Sequence, residues 1–142
     1  AAGGIVDGTG MAAVFAAGAE GIQMGTRFVS SKESPVHDNF KNKILDSTIQ
    51  GTWILNKNSK PVIRALRTDF TKKIHEAGMM EMNDMSNIQD LYFGGDMNAA
   101  PALSGQSVGL IDEVKSVKDI INQTVSEFNE ACTNLSKYKL EV

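Results

Sequence analysis

Two apolar stretches near the start of the chain each run into glycine: Ala1-Ala-Gly-Gly-Ile5 and, after one short helical segment, Gly21-Ile-Gln-Met-Gly25. Side chains at Gly3, Gly4 or Gly25 would block a ligand's approach to the backbone, whereas glycine exposes N–H groups and permits positive φ. Between the stretches, Asp7-Gly-Thr-Gly10 reads as a turn. Met11, Ala12, Val14, Phe15 and Ala16 then read as a compact helix, with Thr9 as its N-cap and Gly18 as its terminator. Strand, turn, helix and strand in so short a span fit a right-handed βαβ unit. Both glycine-bearing ends then lie on the carboxyl edge of a parallel sheet, where open sheets and closed barrels alike bind ligands. A dianionic phosphate there would accept N–H bonds from Gly4 and Gly25 and a hydroxyl bond from Thr26. Glycines also serve tight turns and close packing, but a packed core has no need of the donor cluster formed by Gln23, Gly25 and Thr26.

The remaining chemistry-bearing residues are sparse. His37 and His75 are the only imidazoles and are remote in sequence from the glycine stretches. His37, beside Asp38, reads as a structural hydrogen-bonding residue and His75, on a charged helical stretch, as a solvated one. Cys132 falls on the apolar stripe of the last helix and reads as a buried, reduced thiol. Two separated histidines and one cysteine lack the spacing of a metal site. With 42% hydrophobic and 22% charged residues and a formal charge of −3, the composition fits a soluble cytoplasmic enzyme. It calls for neither nucleic acid nor membrane.

Residues 31–92 are richer in Lys, Asn, Asp and Met and break the strand–helix alternation, as an insertion would. Ser34-Pro35 can start a helix whose apolar face is Phe40, Ile44 and Leu45, and Thr52-Trp-Ile-Leu55 can be extended. Val62, Ala65 and Leu66, then Phe70 and Ile74, suggest further helix. Met79, Met80, Met82 and Met85 read as plain packing. Beyond them, Gly94 to Gly109 is a Gly/Ala/Ser-rich return in which Gln106 or Ser107 is a candidate ligand contact. Ser116-Val-Lys-Asp119 is a capping box, followed at helical spacing by Val117, Ile120, Ile121, Val125, Phe128, Cys132 and Leu135.

Ala1-Ala-Gly-Gly-Ile, Asp7-Gly, Gly18-Ala-Glu-Gly-Ile-Gln-Met-Gly-Thr-Arg-Phe28 and Tyr92-Phe-Gly-Gly-Asp-Met-Asn-Ala-Ala-Pro-Ala-Leu-Ser-Gly-Gln-Ser-Val-Gly109 closely resemble the nitronate monooxygenase family, once called 2-nitropropane dioxygenases. His37-Asp-Asn-Phe-Lys41 and Arg64-Ala-Leu-Arg67 resemble it more loosely. These enzymes are FMN-dependent (β/α)8 barrels, and flavin-dependent enoyl-acyl-carrier-protein reductases belong to the same superfamily. The resemblance implies the C-terminal part of such a TIM barrel. Residues 1–30 would be strands seven and eight with their helix, residues 31–92 a mainly helical insertion covering the active site, and residues 93–142 the return loop and last barrel helix. It implies Gly3, Gly4, Gln23, Met24, Gly25 and Thr26 as the FMN-phosphate site. Because family members are much longer, Ala1 reads as a truncation point, with the missing strands and the catalytic base upstream.

The implied activity is conversion of an alkyl nitronate with O2 to a carbonyl compound and nitrite. An FMN-dependent enoyl reductase is the alternative within the fold, and a non-catalytic interaction module the alternative outside it. A homodimer is left open.

Overall fold

Asp7, not Thr9, starts the first helix in the computed structural model, which describes residues 1–138. Its carboxylate accepts the Gly10 N–H at 2.7 Å, satisfying a first-turn donor. Helix α1 (Gly8–Ala16) therefore begins two residues earlier than expected, and Gly18, at φ 99°, follows its end. The parallel contact anticipated between the two glycine-ended stretches is a single bridge, Ala2 to Gln23. There the Gln23 N–H donates to the Ala1 carbonyl at 2.8 Å.

Helix α2 (Thr26–Val29) follows Gly25, and α3 (Asp38–Leu45) is capped by His37, whose Nδ1 accepts the Asn39 N–H at 3.1 Å. The helix expected from Ser34-Pro35 thus starts later, where an acceptor is available. β1 (Thr52–Leu55) and β2 (Ile63–Leu66) form an antiparallel hairpin with Trp53 opposite Ala65. This overturns the expected helix through Val62, Ala65 and Leu66. Leu66 is buried in a core with Phe40, Ile44, Leu91 and Val108, while Ala65 is buried in a second core with Leu55 and Ile74. A strand buried on both faces has no polar alternation, so its apolar run mimics a helical one.

The outer edge of β2 is covered by the return segment: Leu66 N–H donates to Ala102 O at 2.8 Å and Ser104 N–H to Arg64 O at 3.1 Å. Helix α4 (Asp69–Ala77) opens on a reciprocal Thr68–Thr71 capping box and ends at Gly78, φ 75°. Short 3₁₀ and π turns at Met82–Met85, Asp90–Gly94 and Gln106–Leu110 complete the middle of the chain. The region expected to be mainly helical is therefore helix plus hairpin.

Helix α5 (Val117–Ser136) has the anticipated Ser116 cap, with Asp119 N–H donating to Ser116 Oγ. Glu33 adds a carboxylate that accepts the Val117 N–H at 2.9 Å. α5 packs on α1 through a Phe15–Phe128 edge contact at 5.3 Å. Gly8 allows the approach, since a Cβ there would lie 2.3 Å from Thr124 O and Phe128 N. Ile120 and Thr124 are buried, but Ile121, Val125, Leu135 and Cys132 are exposed, which corrects the buried thiol. A nine-residue helix reaches about 14 Å and cannot cover one of about 30 Å. Among the described residues, no helix is long and apolar enough to cross a membrane.

Candidate functional site

The ends of the two glycine stretches meet the return segment around a cleft of about 250 Å³. Gly3 and Gly4 adopt φ of 93° and 73°, values open chiefly to glycine, and present peptide edges to the cleft. Gly25 is different. Its φ of −99° suits any residue and a Cβ there would meet nothing within 4 Å, so neither backbone nor packing requires glycine. What a side chain at Gly25 would fill is the cleft itself.

Thr26 and Ser107 furnish the hydroxyls. Thr26 Oγ1 accepts the Gly105 N–H at 2.8 Å, which leaves its own proton for another acceptor. Ser107 Oγ donates to the Gly4 carbonyl at 2.5 Å, clasping the return segment onto the first glycine stretch. The N–H groups of Gly4, Gly25 and Thr26 find no acceptor among the described residues. No carboxylate among the described residues lines the cleft. Unpaired N–H donors, free hydroxyl capacity, absent negative charge and open space beside glycine suit a small oxyanion such as a phosphate group.

Of the expected site residues, Gly3, Gly4, Gln23, Gly25 and Thr26 line this cleft. Met24 does not, because successive residues of an extended segment face opposite ways. Between the two candidates in the return segment, Ser107 lines the cleft and Gln106 does not. Gly105, which the sequence marks only as part of the Gly105-Gln106-Ser107 run, lines it too. Its signal was its place in Ser-Gly-Gln-Ser, but the acceptor it meets is remote in sequence.

Arg27, next to the cleft residues in sequence, turns away from them. It is 7% exposed, and its guanidinium donates to Glu113 O at 2.8 Å. Burial pulls its pKa below the usual guanidinium value, against the opposing pull of Glu113, Asp112 and Glu127. Arg27 thus fastens α2 to the segment leading into α5.

Neither histidine reaches the cleft. His37 caps α3 and packs where a Cβ on Gly95 would come within 2.3 Å of its ring, consistent with a structural role. His75 is only partly solvated: half-buried, it stacks on Trp53 at 4.1 Å, and its Nδ1 lies 2.8 Å from Ile54 O. The apolar face of α4 that carries Ile74 draws the neighbouring imidazole onto β1. Among the described residues, no group of His, Cys, Asp and Glu side chains is arranged to hold a metal.

FabK from Thermotoga maritima superimposes with a TM-score of 0.90 and 42% identity, over 97% of this chain and 46% of that one. A probable nitronate monooxygenase of Staphylococcus saprophyticus is 31% identical over 92% of this chain and 38% of its own length. A (3aS,4S,5R,7aS)-5-hydroxy-7a-methyl-1-oxo-octahydro-1H-indene-4-carboxyl-CoA dehydrogenase of Rhodococcus jostii is 28% identical over 89% of this chain and 48% of its own. The chain spans less than half the length of each of these proteins. The model of the nitronate monooxygenase family matches residues 1–127. With the glycine cleft and the return segment both inside that match, this chain belongs to the nitronate monooxygenase family of oxidoreductases.

Proposed function

We propose that this chain is the carboxyl-terminal part of a flavin-dependent (β/α)8 barrel enzyme and that its glycine cleft holds the phosphate of FMN. The openness of Gly25, a glycine with no conformational or packing reason to be one, carries this reading. Gly4, Gly25 and Thr26 would donate N–H bonds, and Thr26 its hydroxyl proton, while Ser107 keeps the cleft closed by holding Gly4. When bound, FMN supplies hydride and electron transfer. The protein's part here is to fix the phosphate and, through it, the position of the reactive ring. Residues 31–92 would cover the flavin and substrate side.

The substrate reading best supported is reduction of an enoyl thioester by a nicotinamide donor. Its support is the 42% identity to FabK across nearly the whole chain, against 31% and 28% for the nitronate monooxygenase and the CoA dehydrogenase. Nitronate oxidation with O2 is the second reading, favoured by the family model and the Staphylococcus relative.

Two assays on the intact protein separate them: enoyl-thioester-dependent NAD(P)H oxidation and nitrite release from an alkyl nitronate. Flavin absorbance of the purified protein tests the cofactor itself. A colourless protein that takes up no added FMN would overturn the flavoenzyme reading in favour of an interaction module.

A further inference from the structure

Lys43 in the last turn of α3, Arg67 just beyond β2 and Lys72 in α4 come from three separate elements and line one pocket of about 350 Å³. Asp69 is the one carboxylate in that lining among the described residues, so two positive charges are left over. The excess is local, because the whole chain carries a formal charge of −3. Among the described residues, no carboxylate lies within ion-pair distance of Lys43 or Arg67. Lys72 meets Glu76 only at 3.9 Å, with both side chains mostly exposed, and a surface pair of that kind holds an ammonium weakly.

Arg67 is nonetheless held in place. Its guanidinium carbon lies 3.8 Å from the centre of the Trp53 ring, and its Nε donates to Thr52 O at 3.4 Å. Trp53 is in turn fixed by the stacked ring of His75, 4.1 Å away. The terminal nitrogens of the fork make no hydrogen bond among the described residues, so a preformed two-pronged donor is offered to whatever enters the pocket. Backbone contributes little here. At the start of α4 the Phe70 and Thr71 N–H groups are taken by Asn98 Oδ1 and Thr68 Oγ1, each at 3.1 Å. Recognition in this pocket is therefore by side-chain charge.

Two uncompensated charges and a rigid fork match a dianion with several acceptor oxygens on one atom better than a carboxylate. Met97 and Trp53 add apolar lining beside the charges, which suits the organic part of an ester. We propose that this pocket binds the phosphate dianion of a small phosphate monoester. It shares no lining residue with the glycine cleft and stands whether or not that cleft holds FMN.

The test titrates adenosine monophosphate, adenosine and inorganic phosphate calorimetrically into the intact protein, loaded with FMN and freed of the excess, at about pH 7.5, where a phosphate monoester is dianionic. Adenosine monophosphate is expected to bind at least about tenfold more tightly than adenosine. Inorganic phosphate is expected to bind more weakly than the ester; equal affinity would overturn the ester and leave the free anion as occupant. Arg67→Gln should weaken the ester about tenfold, and Arg67→Lys, which keeps the charge and loses the fork, by most of that. Asp69→Asn, which removes the opposing carboxylate, should tighten it about threefold, a gain that no folding defect imitates. Lys73→Gln, on the same helix but outside the lining, should change nothing. Failure of adenosine monophosphate to bind, equal affinity for adenosine, or an affinity untouched by both Arg67→Gln and Asp69→Asn overturns the proposal.

Discussion

The glycine cleft and another concavity, a groove of about 430 Å³ lined by Pro61, Ile63, Met80, Met82, Met85 and Leu103, are made of different materials. The cleft is backbone: peptide edges of Gly3, Gly4 and Gly25, clasped by the Thr26–Gly105 and Ser107–Gly4 bonds. The groove is side chain: methionines and a leucine between walls spaced by Asn56. A backbone site recognises a group common to all turnovers and tolerates almost no substitution. A side-chain site can change its occupant through one or two residues without disturbing the anchor.

Substitutions can break that separation. Gly8→Val has the largest expected effect, because its Cβ would strike the α5 backbone and part α5 from the helix that follows the first glycine stretch. A loss of about 3 kcal/mol in urea unfolding, with flavin loss, is expected. Gly25→Val should lower FMN affinity about 100-fold, or about 2.7 kcal/mol, in absorbance titrations. The unfolding midpoint should hardly move, since the new side chain meets no protein atom. Unchanged affinity in that variant would remove the phosphate assignment. Asn56→Ala leaves Pro61 O and Met80 N–H without their partner and should cost about 2 kcal/mol. Retention of flavin in that variant would show the two regions to be independent; its release would show them coupled. Thr26→Val should weaken FMN by about tenfold, the scale of one charge-assisted hydrogen bond. Because Gly105 N–H also loses its acceptor there, Thr26→Ser is expected to restore binding.

What could be read from the sequence divides along the same line. That Gly3, Gly4, Gly25 and Thr26 line one cleft was legible, because a cleft walled by backbone is written in glycine and short hydroxyl residues. The capping box at Ser116 was legible because its partners are local. Asp7 was missed as the cap of α1 because Asp-Gly-Thr-Gly offers two acceptors, and only the fit of Gly8 against α5 selects the earlier one. β2 reads as helix in the sequence because Ala65 and Leu66 serve two different cores, which erases the alternation that marks a strand. Met24 reads as a site residue by its neighbours, but it does not line the cleft. Cys132 and His75 erred in opposite directions. Each takes its surroundings from tertiary contact: the reach of α1 leaves the thiol open, and Trp53 covers the imidazole.

The bond from Gly105 to Thr26 spans 79 residues of chain, and that from Ser107 to Gly4 spans 103. During synthesis the cleft has no far wall until the hairpin, α4 and the methionine turn have emerged and the return segment has paired with β2. A ligand that needs both walls adds its binding free energy only to the finished state. Colour from bound flavin would then report completion of the fold, and a chain stopped before Gly105 would lack the far wall and not acquire it.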